Sequence, residues 1–147
     1  LSLNVEVRGF YHDWTFPNNS GVIIARLTEP IPSSAPNPGN AIANPGAVER
    51  EIAHLSELVQ KVPERIEAYP IHSKLHIYVR QGILIPIEKA LIRKGFSKEL
   101  LMTKDELEKS YFHRDGSFGP LFGSPIQDIF IDWSLQDDNS VVCFMLQ

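Results

Sequence analysis

Residues 48–62, VEREIAHLSELVQKV, decide the fold. Val48, Ile52, Leu55, Val59 and Val62 step by four, three, four and three, which at about 100° per residue gathers them into one apolar stripe. Arg50, His54, Glu57 and Lys61 fall on the opposite face, so this is an amphipathic helix that needs a sheet or another helix to cover it. Ordering such a segment costs more conformational entropy than burying five side chains returns, so the stripe implies a larger core around it. Asn44 followed by Pro45 is a capping side chain ahead of a proline in the first turn, and places the start there. Pro63 ends the regular face, with residues 64–69 expected to add one more turn.

Upstream, Leu3, Val5 and Val7 alternate with polar residues as a half-buried strand does, ending near Gly9 and Phe10. Residues 11–20 mix aromatics with Pro17, Asn18, Asn19 and Ser20 and read as a bulky hairpin loop. The nearly continuous apolar run 21–27, GVIIARL, suggests a more central strand paired with the first. Residues 29–46 carry Pro30, Pro32, Pro36, Pro38 and Pro45, a density that neither helix nor ladder tolerates, so an extended surface loop is expected.

Downstream, Leu75, Ile77 and Val79 alternate with polar neighbours in a third strand closed by Gly82. Pro86, an apolar face of Ile87, Ala90 and Leu91, and Arg93-Lys94-Gly95 at the end describe a short second helix. Thr103 with Glu106 forms a capping box, and Met102 with Leu107 the matching staple, for a third helix from Lys104 to about Tyr111. Residues 112–125 read as a loop that must bury several phenylalanine rings. Ile129, Ile131, Trp133 and Leu135, then the apolar run 141–146, form a last hairpin about a loop at 136–140. The order is β-β-α-β-α-α-β-β, which rules out an alternating parallel array. It predicts one α+β domain over residues 1–147, with a mainly antiparallel five-stranded sheet and helices on one face.

Of the 147 residues, 18 are acidic and 14 basic, giving a net charge of −4 with no cluster of lysine and arginine longer than a dipeptide. That balance disfavours nucleic acid and anionic membranes and favours a basic partner. Apolar runs fall far short of the ~20 residues needed to span a bilayer. The lone Cys143 permits no internal disulfide, so a soluble protein in a reducing, cytoplasmic setting is expected. The chain opens on Leu1 rather than Met, which leaves room for a leader or a further domain ahead of it.

No phosphate loop, nucleophile elbow, zinc-protease or paired-cysteine motif occurs, so no cofactor is called for. Two function classes remain. In the first, the protein binds another protein, as an inhibitor or a toxin-neutralising immunity-type partner does. It would use Tyr11, Trp14 and Phe16 as aromatic anchors and the acidic strip Asp128, Asp132, Asp137 and Asp138 against a basic surface. In the second, a hydrolase or nuclease-like enzyme, His12 with Asp13 and His113 with Asp115 serve as general base and acid if their loops converge, and Arg114 steadies an anionic intermediate. Each set also has a structural reading, as core plugs, solvated loop residues or edge-strand charges. His72 and His76, four apart on an expected strand, would lie about 13 Å from each other, too far to share a metal. His54 belongs to the polar helix face, and Cys143 reads as a small core hydrophobe.

Overall fold

The computed structural model describes residues 5–30, 45–114 and 116–147. In chain order these form β1 (Val7–Thr15), β2 (Ser20–Leu27), α1 (Pro45–Val59), β3 (Arg65–His72), β4 (Leu75–Gln81), α2 (Pro86–Arg93), α3 (Ser97–Arg114), α4 (Phe118–Phe122), β5 (Ile126–Ser134) and β6 (Asn139–Leu146). The fold is α+β, but the single five-stranded sheet is not what forms. Six strands make two antiparallel sheets, a hairpin β1-β2 and a four-stranded sheet ordered β3-β4-β6-β5.

The organising helix is where its periodicity puts it. Val48, Ile52 and Leu55 are buried on α1, whereas Val62 lies beyond the helix and is half exposed. They meet one face of the large sheet, built from Tyr78 of β4, Ile129, Ile131 and Trp133 of β5 and Val142, Phe144 and Leu146 of β6, with Phe112 of α3 and Phe118 of α4. Phe112 and Phe118 meet edge to face at 5.8 Å, so the glycine-rich stretch buries its rings as expected, though it does so through a helical turn rather than a plain loop. On the other face, Val79 and Val141 pack with Tyr11 of β1 and Ile24 of β2, which seats the hairpin on the sheet.

A charged network is sealed into the helix-side core. Arg80, fully buried, donates through Nη1 to Glu108 Oε1 at 2.7 Å and to Ser56 Oγ at 3.0 Å, and through Nη2 to Ser140 Oγ at 2.8 Å. The other oxygen of Glu108 accepts from Trp133 Nε1 at 2.7 Å and lies 3.7 Å from Lys104 Nζ. Lys104 in turn donates to Glu88 Oε2 at 2.7 Å, while Glu88 Oε1 reaches back to the Ile85 N–H at the start of α2. Opposite charges therefore pair within the core, as burial demands.

Four expectations are corrected. Residues 64–69 do not extend the helix: Arg65–His72 is β3, an edge strand whose mostly exposed side chains give no apolar period to read. Helix α3 starts at Ser97, and Thr103 lies inside it with Oγ1 donating to Glu99 O at 2.8 Å, so the capping box is not used. Residues 11–15, expected as loop, belong to β1, and the turn is residues 16–19, with Asn19 in the left-handed region at φ 47°. Strand β2 is not central; its alternate residues face outward. The proline-rich segment falls mainly outside the described residues, as do Leu3 and Asn44.

Candidate functional site

Strand β1 alternates two kinds of residue. Tyr11, Asp13 and Thr15 face the protein, while Phe10, His12 and Trp14 face out. The register sets Phe10 opposite Ala25, His12 opposite Ile23 and Trp14 opposite Gly21, so these six share the hairpin's outer face. Phe10 is 60% exposed, Trp14 50% and Ile23 73%, and Phe16 at the turn stands clear of the surface. The ring of Trp14 lies across Gly21, where any Cβ would collide with it. Large apolar side chains concentrated on one face of a two-stranded ribbon form an exposed patch, not scattered surface hydrophobes.

Beside this face, β1 and α3 enclose an open groove of about 420 Å³ that includes His12, Trp14, Met102, Asp105, Glu106 and Asp132. Its wall is held by carboxylates that join hairpin and sheet without a shared backbone ladder. Asp13 accepts the Ile131 N–H at 2.8 Å from the outer edge of β5 and pairs with Lys109 of α3 at 2.5 Å. Asp132 accepts the His12 N–H at 2.9 Å in return. Further along, buried Asp128 accepts from Asn18 Nδ2 at 2.7 Å, Ser20 Oγ at 3.0 Å and Thr15 Oγ1 at 3.3 Å.

The electrostatics follow from these contacts. Burial raises the Asp132 carboxyl above its ordinary range; the amides of His12 and Trp133 work against that, and Asp13 adds to it. Burial alone would lower the Lys109 ammonium, but hydrogen bonds to Asp105 and Asp13 reverse this and hold it above the usual lysine range. Four carboxylates, Asp13, Asp105, Glu106 and Asp132, thus line the groove with Lys109 as its lysine. Such a groove attracts cations and repels anions.

The residues singled out from the sequence divide accordingly. Trp14 and Phe16 are on or next to the outer face, and Asp132 lines the groove. Tyr11 is buried beneath the hairpin rather than offered to a partner surface. Asp138, in the left-handed region at φ 54°, accepts the Ile83 and Leu84 N–H groups at 2.8 Å each, and Asp137 accepts from Ser134 Oγ at 3.0 Å. Together with Asp128 these aspartates are occupied in holding loops and the hairpin.

Of the catalytic set, His12 and Asp13 line the groove; His113 is exposed on α3 one turn beyond Lys109 and is not among the groove's lining residues, and Asp115 lies outside the described residues. His72 and His76 are not on one strand. They flank the β3-β4 turn, with His76 buried against Phe122 at 4.9 Å between ring centres. Among the described residues no group of three or more histidine, cysteine or acidic side chains is placed to hold a metal ion, and no helix is long and apolar enough to cross a membrane. Phe10, Ile23, Met102, Asp105 and Glu106 were not expected from the sequence as site residues; Met102 and Glu106 were read only as parts of a helix start. The signal for Phe10 was there, in the period-two run Phe10, His12, Trp14. Neither a family model, nor a curated protein, nor a solved structure matches this chain.

Proposed function

We propose that this protein works by docking another protein onto the outer face of its β1-β2 hairpin, with the acidic groove alongside gripping basic side chains of that partner. The observation that carries the reading is the juxtaposition of Phe10, Trp14 and Ile23, each half exposed or more, with a groove lined by four carboxylates. Trp14 is the anchor: its ring is pre-set across Gly21, so little conformational entropy is lost when it is covered. The partner chemistry that fits is an apolar surface ringed by lysine and arginine, as an inhibitor or immunity-type protein of this charge would meet. The acid-base alternative needs His12 and His113 in one pocket, and no contact among the described residues joins them.

The test is to identify a captured protein and measure its affinity by calorimetry against three variants. Trp14→Ala should weaken binding about thirtyfold, as loss of a hot-spot aromatic does. Asp105→Lys/Glu106→Lys should weaken it further at low salt than at high salt, and His54→Ala, on exposed α1 surface, should leave it unchanged. A partner bound equally by Trp14→Ala and wild type overturns the reading. So does concentration-dependent dimerisation abolished by Trp14→Ala, which would assign the face to a second copy of the chain.

A further inference from the structure

A second cavity, of about 340 Å³, opens at the other end of the hairpin and has the opposite chemistry. It is lined by Arg8, Tyr11, Arg26, Gln81, Asp137 and Asn139. Period-two alternation would send Arg8 outward with Phe10 and His12. Instead the β1-β2 register slips between Val7, opposite Leu27, and Gly9, opposite Arg26. The irregularity leaves Arg8 as the extra residue, without a partner in the ladder, and its exposed side chain lines the mouth of the cavity.

Tyr11 supplies an independent observation. The residue is 1% exposed, its ring packed with Val79, Val141 and Ile24, yet its hydroxyl takes no hydrogen-bond partner among the described residues. It is not sealed off either, and a Cβ at Gly9 would sit 3.3 Å from its oxygen, which puts the hydroxyl at the Arg8 end of the cavity. Open to the cavity and bonded to no other described residue, the hydroxyl is free to exchange water for a ligand oxygen.

The charges around it are cationic in a chain whose net charge is −4. Arg26 has one ion-pair partner, Glu67, at a loose 3.9 Å, and Glu67 is shared with Arg65 at 3.4 Å and with Gln81 Nε2 at 3.0 Å. The Glu67 carboxyl is held below its usual range first by the Tyr69 hydroxyl, then, against burial, by Arg65, Arg26 and Arg8. One glutamate therefore faces three guanidinium groups, and Arg8 pairs with no carboxylate at ion-pair distance among the described residues.

We propose that this cavity binds the phosphate group of a small phosphate ester. Two guanidiniums, a phenol hydroxyl and the Asn139 amide offer donors from more than two directions. That suits the several oxygens of a tetrahedral phosphate better than the two of a planar carboxylate. Asp137 also lines the cavity; one of its oxygens accepts from Ser134 Oγ at 3.0 Å, and the other would accept hydroxyls on the rest of the ligand, away from the phosphate. The volume lies at the low end of small-molecule pockets.

The test is a titration of the full ¹⁵N-labelled chain with inorganic phosphate, ribose 5-phosphate and acetate at constant ionic strength, followed by amide shifts. Saturable binding of the ester is expected, with shifts centred on Arg8, Gly9, Tyr11, Gln81 and Asn139. Arg8→Gln should weaken it about tenfold and Tyr11→Phe, which keeps the packed ring, about threefold. No saturation, shifts centred elsewhere, or unchanged affinity in both variants overturns the proposal. Acetate bound as tightly as phosphate, or free phosphate bound with the ester excluded, overturns the assignment to a phosphate ester.

Discussion

Replacing Glu108 by glutamine changes one oxygen to an amide and should be among the most damaging single substitutions in this protein. Glu108 accepts on both oxygens at once, from Arg80 Nη1 at 2.7 Å and from Trp133 Nε1 at 2.7 Å. Glutamine offers one acceptor oxygen, so whichever way it turns, its NH₂ confronts a donor. It also removes the anion that faces buried Arg80 and lies 3.7 Å from Lys104, leaving Glu88 to balance two interior cations. Stranding a buried charge in this way costs about 3–5 kcal/mol. With a urea dependence near 2 kcal/mol per molar, the unfolding midpoint should fall by roughly 1.5–2.5 M, read by circular dichroism. The double variant Arg80→Met/Glu108→Leu should sit closer to wild type than Glu108→Leu alone, because no guanidinium is stranded. Ser56 and Ser140 remain satisfied in it through Ile52 O at 2.7 Å and Asp132 O at 2.9 Å. A Glu108→Gln midpoint within about 0.5 M of wild type, or a double variant no better than Glu108→Leu, would refute the reasoning.

Three further outcomes are expected. Because burial raises the folded-state pKa of Asp132, the folded protein holds that proton more tightly than the unfolded chain, so the ionised carboxylate costs stability as pH rises through the raised pKa. Asp132→Asn, which keeps an acceptor for the His12 N–H, should therefore raise the melting temperature at pH 7, with the gain shrinking on acidification; a gain independent of pH would contradict the assignment. Gly21→Ala should push Trp14 off its seat, red-shifting its emission and weakening partner binding while barely moving the unfolding midpoint. Burial pushes the Cys143 thiol up to about 12, so a thiol reagent should label it only at the rate of unfolding.

What could be read from the sequence was what burial enforces on a long element. The α1 stripe and the closing hairpin each show one period over many residues, and the structure has them within a few positions. The Pro86–Arg93 helix was placed by its proline and glycine ends, but its expected face of Ile87 and Leu91 is exposed while Glu88 and Ile92 turn inward. Strand β3 escaped because as an edge strand it exposes most side chains and carries Pro70, so nothing in residues 65–72 advertises a ladder. The start of α3 was placed too late because Thr103 and Glu106 have the spacing of a cap, and only tertiary packing shows that the helix continues upstream through Ser97. For the candidate site, the aromatic residues of β1 were visible, but their division between buried Tyr11 and exposed Trp14 depends on a register that a loop reading could not supply. The acidic strip was visible as charge; that Asp128 and Asp138 spend it on neighbouring donors is a property of the folded contacts.

The carboxylate junction at β5 also bears on how the molecule stays separate from its own copies. A backbone ladder cannot be removed by changing a side chain, but the Ile131 N–H at the rim of the large sheet is covered by Asp13, a single replaceable residue. An uncovered sheet rim is a template for an incoming strand from any neighbouring chain. Asp13→Ala should therefore show slow, concentration-dependent assembly in storage in addition to the lower melting point that follows from stranding the Ile131 N–H and losing the Lys109 pair.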